Sequence, residues 1–338
     1  MTAVSAVARP AVSRLGGLKP SRDTRTAYLY LAPALAIMAV ITFYPLVFQT
    51  FISFTNFGVV NVPQGAPAPD WVGISNYERI LQGKLGIPNF DFMRIVIFNL
   101  WWALSNVVIH VVVGVGIAIL LNVQGLRFKG AYRALFILPV VIPPIIVATV
   151  WQHMFERDSG AINEGLKLIG GLFKVPPEAF QINWLQQVQD PIPFIPLPLA
   201  FFALLAANTW LGWPLNSVVA TGALQSIPRE LYEAAEMDGA GAWAKFRNVT
   251  LVFLRPAMIP YAIYGFVVTF NLFYLTYFMT GGGPFGRTEL LVTQAYTLVN
   301  ANRLYGVAAA FGVFQFFILL AITLFFNRLT KATASYDT

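Results

Sequence analysis

Six stretches of this chain contain no Asp, Glu, Lys or Arg: 26–69, 95–126, 134–155, 191–228, 256–286 and 304–327. No other feature restricts the fold as strongly. A helix needs about 20 apolar residues to cross a hydrocarbon core of about 30 Å. Charge is scarce overall, because 57% of the 338 residues are hydrophobic and only 11% are charged, against about 25% charged in soluble domains. The first and fourth runs exceed a span, and their proline-rich parts (Pro63, Pro67, Pro69; Pro191, Pro193, Pro196, Pro198) read as loop. The expected spans are 27–54, 95–121, 134–155, 199–221, 256–280 and 306–327. These runs are continuous rather than alternating, which excludes a β-barrel. The fold class is therefore an all-α integral membrane protein with six transmembrane helices. The first run is too long for a signal peptide and follows a 26-residue polar leader, so it is expected to stay in the protein.

Charge then orients the spans. With six crossings both termini share one side. If that side is the cytoplasm, it holds Arg9, Arg14, Lys19, Arg22, Arg25, Arg127, Lys129, Arg133, Arg229, Lys245, Arg247, Arg255, Arg328 and Lys331, 14 of the 22 basic residues. The longer outer loops hold the other 8, as the positive-inside rule requires. The net charge of +7 is mostly this topology signal, with basic flanks that meet anionic lipid heads. A nucleic-acid partner would need a clustered basic face with stacking aromatics, and the chain has none. It also has no cysteine and only two histidines, so no metal site, cofactor or catalytic constellation is expected. His110, Asn99, Asn106, Asn208, Asn216, Asn271 and Gln315 are the polar groups at depth, and interhelical hydrogen bonds account for them.

The loop between the fourth and fifth spans is the informative one. In Ser226-Ile227-Pro228-Arg229-Glu230-Leu231-Tyr232-Glu233-Ala234-Ala235-Glu236-Met237-Asp238-Gly239, Ser226 is suited to cap a helix and Pro228 to its first turn. Glu230 and Glu233 lie towards the positive end of the helix dipole, and Gly239 can take the left-handed conformation that ends it. A helix of about ten residues is expected, followed by a second piece from Ala242 into span five. An acidic helix suits an anionic lipid surface poorly. Two small side chains beside two carboxylates suit a basic protein groove.

Glu233-Ala234-Ala235, Gly239 and Val249-Thr250-Leu251 resemble the EAA-Gly loop of permease subunits of binding-protein-dependent ABC importers. Val252 stands where that family usually has proline. Further landmarks resemble carbohydrate permeases: Tyr44-Pro45, Ser53-Phe54, Val72-Gly73 with Asn76-Tyr77, Arg133 with Leu138-Pro139, Asn163, Ala223–Pro228 and Thr280–Pro284. The stretch Asn208–Pro214 and Tyr232–Gly241 look most like the larger permease subunit of maltose/maltodextrin importers. The resemblance implies a type I importer permease fold with a cytoplasmic N-terminal tail (1–26), a first transmembrane helix (27–54) and an outer loop (55–94). A five-helix core (95–327) with the coupling loop at about 226–246 and a cytoplasmic tail (328–338) follow. It implies that Glu233 and Asp238 make polar contacts with an ATPase subunit, that Ala234 and Ala235 pack closely, and that Gly239 turns the chain.

The implied partners are a second homologous permease, two ATPase subunits, an extracytoplasmic sugar-binding protein and a sugar, within the lipid of the cell membrane. The implied sugar is an α-glucoside such as maltose, maltodextrin or trehalose. The chain itself would hydrolyse nothing. The sugar path is expected to touch Trp210 and Gly212 on span four and Thr269 and Asn271 on span five, of which Trp210 and Gly212 match maltose permeases. Val140, Leu215, Gly265 and Leu272 depart from them, and Thr269 replaces an amide side chain. The rival readings are a permease for another solute such as glycerol phosphate, a stand-alone secondary transporter or channel, and an intramembrane enzyme.

Overall fold

The structure is a computed structural model and describes residues 22–123 and 125–330. The expected tails at 1–21 and 331–338 lie outside the described residues. The described chain is helical, with one isolated antiparallel bridge between Thr55 and Trp71. It divides into two units, Met1–Phe51 and Ile52–Thr338. In the first, α1 (Arg22–Met38) passes through a π turn at Ala39–Phe43 into α2 (Tyr44–Ile52). That run exposes apolar side chains such as Leu29, Ile41 and Phe51 along its length.

In the second unit a short helix α3 (Ser75–Leu81) precedes the long α4 (Phe92–Asn122), whose first turn is capped by the Asp91 carboxylate accepting from the Arg94 N–H. Then come α5 (Lys129–Val141), α6 (Pro144–Met154), α7 (Ala161–Leu172), α8 (Leu199–Gln225) and α9 (Arg229–Met237). A one-turn helix α10 (Ala242–Lys245) runs through a π turn at Phe246–Thr250 into α11 (Leu251–Phe270). The last elements are α12 (Tyr274–Thr280), α13 (Leu291–Asn300) and α14 (Tyr305–Thr330).

Helix α4 packs along α8, with α11 beside both, and the contact is made close by Ala118, Ala203, Ala207 and Ala220, all buried. Small residues are what allow helices to approach where lipid supplies no hydrophobic driving force. Larger side chains fill the layers on either side. Phe92, Ile95, Phe266, Phe270 and Phe311 form one cluster, and Phe98, Trp102, Phe201, Leu204 and Met279 another.

Among the described residues, four helices are long and apolar enough to cross a membrane: Thr24–Ile52, Phe92–Asn122, Ala242–Phe270 and Tyr305–Thr330. The α5–α6 pair makes a fifth if it is one broken span. This is fewer than the six expected. Helix α8 is 27 residues long and uncharged, but Asn208, Asn216, Pro214 and two tryptophans lower its hydropathy. The stretch 134–155, expected as one span, is two helices meeting at 94°. Pro143 and Pro144 cause the break, since each lacks an N–H and pushes the residue before it out of the helical region. Ile142 and Pro143 have ψ near 130°. The expected span 256–280 is likewise divided, with α11 ending at Phe270 and α12 starting at Tyr274.

The landmarks of the expected outer loop converge in space. The Asn76 amide donates to the carbonyls of Ser53 (2.9 Å) and Thr55 (2.8 Å), and the hydroxyls of Ser53 and Tyr77 share a 2.6 Å bond. Phe54 packs between Trp71 and Tyr77. Asn163 of α7 does the same for the segments on either side of that helix, donating to the Arg157 carbonyl before it and the Ile182 carbonyl after it and accepting from the Trp184 indole. Loops anchored this way hold a fixed conformation although they lack regular structure.

Candidate functional site

The loop helix α9 is expected at the right place, and its two ends are built differently from each other. At its start Ser226 does not cap it. The Ser226 hydroxyl donates back to the Ala223 carbonyl at 2.8 Å, which makes this residue the end of α8. Pro228 takes the capping position instead, without a side-chain bond to the helix. Ile227, buried against Ala118, Leu224, Leu254 and Met258, pins the turn between the two helices. Ser226 therefore lies two residues before the capping position of α9 and bonds to α8 instead.

The other end follows expectation. Gly239 has φ +75°, the Gly239 N–H donates to the Glu236 carbonyl, and the Ala240 N–H donates to the Ala235 carbonyl, both at 2.9 Å. These two bonds are the Schellman pattern, which satisfies the last carbonyls of a helix without help from elsewhere. Asp238 is the last, exposed residue before that turn.

Two side-chain bonds tie α9 to the segment that follows it, while much of its surface stays exposed. The hydroxyls of Tyr232 and Thr250 lie 2.9 Å apart, and the Lys245 ammonium donates to the Glu236 carboxylate. Lys245 holds the Glu236 carboxyl below its ordinary pKa, through that hydrogen bond first and its charge second. Beside these contacts Arg229, Glu233, Ala234 and Met237 remain exposed. Arg229 pairs with Glu233 at 2.9 Å along the helix. Ala235 is half-buried and Ala234 exposed. Met237 is 89% exposed and the nearby Trp243 71%. A protruding helix that shows apolar tips between carboxylates has the composition of a docking surface.

The four residues expected on the sugar path fall in two places. Gly212 faces α4, where a Cβ would lie 2.0 Å from Cε1 of His110. The imidazole fills that space, and its Nε2 lies 2.9 Å from the Asn208 carbonyl. Below it the Asn208 amide donates to Asn106 Oδ1, and the Asn106 amide to the Trp102 carbonyl, each at 2.7 Å. Gly212 thus has a packing duty that its sequence context did not reveal. Trp210, two residues away, is half-buried with its ring centroid 6.4 Å from that of Trp151 on α6.

Thr269 and Asn271 sit at the break between α11 and α12. Thr269 is buried, and its carbonyl accepts from the Trp102 indole at 3.1 Å. The Asn271 amide donates to the Val267 carbonyl at 2.8 Å, and the Gln315 amide donates to Asn271 Oδ1. Asn99, which the sequence marks for an interhelical hydrogen bond without naming its partners, organises this break. Asn99 of α4 is buried, donates to the Phe270 carbonyl at 3.1 Å and accepts from the Leu291 N–H at 2.8 Å. One amide therefore closes the C-terminal end of α11 and the first turn of α13. The available signal was an amide in the middle of an apolar run, which marks a partner without naming it.

A family model described as a binding-protein-dependent transport system inner membrane component matches residues 110–334. The galactooligosaccharides transport system permease protein GanP of Bacillus subtilis is 31% identical over 311 residues, covering 90% of this chain and 70% of that protein. The diacetylchitobiose uptake system permease protein DasB of Streptomyces coelicolor is 31% identical over 319 residues, 94% of this chain and 88% of that one. The trehalose/maltose transport system permease protein MalF of Thermococcus litoralis is 29% identical over 310 residues, 92% and 95% of the two chains. In the crystal structure of a bacterial ABC transporter involved in import of the acidic polysaccharide alginate, one chain matches with a TM-score of 0.73 at 19% identity, covering 93% of this chain and 98% of that one. That likeness concerns the fold. Taken with the loop geometry, these matches establish that the chain belongs to the binding-protein-dependent transport system inner membrane components, among relatives that are carbohydrate permeases.

Proposed function

We propose that this chain is one of two permease subunits of an ATP-driven sugar importer, and that α9 is the element through which two ATPase subunits move it. In this reading the chain crosses the membrane six times with both termini in the cytoplasm. The α5–α6 pair forms one broken span and α8 another. A sugar-binding protein delivers substrate from outside, and the two permeases rock between outward- and inward-open states. The bound sugar is an α-glucoside in the finer reading. Permeases named for galactooligosaccharides and diacetylchitobiose among the relatives support a wider class, small oligosaccharides.

The observation that carries the proposal is the build of α9. Its last turn is closed by bonds of its own, and Glu233, Ala234 and Met237 stay exposed, available to another protein. The carboxylates fit a groove rich in Arg or Lys, and the small side chains allow it to approach. Trp210, with Thr269 and Asn271 at the helix break, offers the aromatic face and hydrogen-bonding groups that sugar recognition needs.

Exchanging Glu233 for a lysine tests the coupling role. Glu233→Lys is expected to abolish ATP-coupled uptake in reconstituted vesicles while the protein still inserts and assembles. Normal uptake by this variant would remove α9 from the coupling path. Uptake and ATP hydrolysis measured over maltose, trehalose, lactose and diacetylchitobiose would separate the α-glucoside reading from the broader class.

A further inference from the structure

Between α5 and the second half of α8 lies a cleft of about 580 Å³, within the range of about 300–1,000 Å³ typical of small-molecule sites. Its α8 wall continues a stripe that begins at Trp210. Pro214, Ser217, Thr221 and Gln225 follow Trp210 at steps of four, three, four and four residues, which places all five on one side of a helix. At 1.5 Å per residue the stripe is about 22 Å long and runs to the end of α8 that meets α9. The α5 wall supplies Arg133 and Phe136, and Phe136 meets Trp213 edge to face at 5.2 Å.

The walls are mostly apolar, with Leu121, Ala134, Ile137 and Val218 among them, and the polar groups set between these are what favour sugar over lipid. A surface that faces acyl chains is apolar, and polar side chains at membrane depth face a protein interior or a water-filled cavity. Here Ser217 and Thr221 lie within an expected span, and Arg133 and Gln225, just outside the expected spans, share the same cleft. Arg133 makes no ion pair among the described residues and offers only donors, whereas Gln225 offers both a donor and an acceptor. The Thr221 hydroxyl spends its proton on the Ser217 carbonyl at 2.7 Å, which leaves its lone pairs to accept. Sugar hydroxyls need this mixture, and Trp213 adds an aromatic side chain beside it.

We infer that this cleft is a second sugar-contacting station, on the cytoplasmic side of Trp210, which a sugar occupies as it leaves. The inference rests on the importer reading given above. It assigns Arg133, Trp213, Thr221 and Gln225 to substrate release rather than to packing.

The chain has no cysteine, so a single introduced thiol reports on the cleft. A Cβ on Gly222, which lines it, meets nothing within 4 Å, and Gly222→Cys is therefore accommodated. In the complete reconstituted importer, a membrane-impermeant thiol reagent is applied from the cytoplasmic side. The probe is whichever of maltose, trehalose, lactose and diacetylchitobiose the parent complex takes up. That sugar is expected to slow labelling of Gly222→Cys several-fold, while labelling of Gly130→Cys, in the first turn of α5 and also unobstructed, stays the same. Adding Trp213→Phe should raise the protecting sugar concentration several-fold. Unchanged labelling of Gly222→Cys by a sugar that the parent transports would overturn the inference and leave the importer reading standing. Protection by phosphatidylglycerol but not by sugar would make the cleft a lipid site instead. A parent complex that takes up no sugar would overturn both.

Discussion

The chain interrupts its helices at two instructive places, and it secures them in opposite ways. At the end of α9 the turn is closed by bonds within six residues, Ala235 to Ala240, with Gly239 in the left-handed region. At the end of α11 the Thr269 and Phe270 carbonyls are taken by Trp102 and Asn99, the latter 171 residues away in sequence, and Asn99 also receives an N–H 192 residues away. The first break is exposed and needs only itself. The second is buried and needs the assembled core. An exposed loop helix can keep its shape from local bonds, whereas a buried break takes its shape from its neighbours.

The largest effect is therefore expected at the buried break. Asn99→Ala leaves the Phe270 carbonyl and the Leu291 N–H without a partner, at a cost of about 1–3 kcal/mol for each buried group. Thermal unfolding of the purified complex in detergent should show a clear loss of stability, and sugar uptake should fall with it. If Asn99→Ala were as stable as the parent, the break would be held locally and the contrast with α9 would disappear.

A smaller effect is expected at the exposed turn. Gly239→Ala forces a side chain into the left-handed region, which costs roughly 1–2 kcal/mol. Because α9 has no fully buried residue, that strain should be relieved by local fraying rather than by unfolding of the core. The unfolding midpoint should hardly move, while ATP-coupled uptake drops and proteolysis within 226–246 becomes faster. A fall in global stability as large as that of Asn99→Ala would mean that α9 is part of the core after all.

The same contrast explains what could be read in advance. The charge-free runs, the acidic loop helix and the Gly239 turn are properties of neighbouring residues, and all are present. The Ser226 cap was misassigned because a serine before a proline suits either the end of one helix or the start of the next. Only the burial of Ile227 decides between them. The bend at Pro143-Pro144 was legible in principle, since two prolines in a row cannot continue a helix. The interruption at Asn271 was not, because it depends on Asn99, Trp102 and Gln315 arriving from other helices. Gly212 shows the limit on the candidate path. Its lack of a side chain fits a close approach of sugar, but the structure fills that space with His110.

The smallest expected effect sharpens the idea that α9 is locally self-sufficient. Glu236 has its pKa lowered by the hydrogen bond and charge of Lys245, so the folded loop favours the ionised carboxyl. A depressed pKa contributes stability that is complete above the unfolded value, about 4.3 for Glu. That stability is lost as the pH falls through the lower, folded value. Near neutral pH the pair should be intact, and the loss should be confined to the acid side of the ordinary carboxylate range. Because Glu236 is fully exposed, solvent screens the pair and the effect should be small. Hydrogen exchange at the Gly239 and Ala240 amides, compared between the parent and Glu236→Gln across that window, isolates it. The parent should be slightly better protected at pH 6, and the difference should vanish in strong acid. Identical protection at every pH would show that the Schellman bonds alone hold the end of α9, and the helix would be still more self-contained than the ion pair suggests.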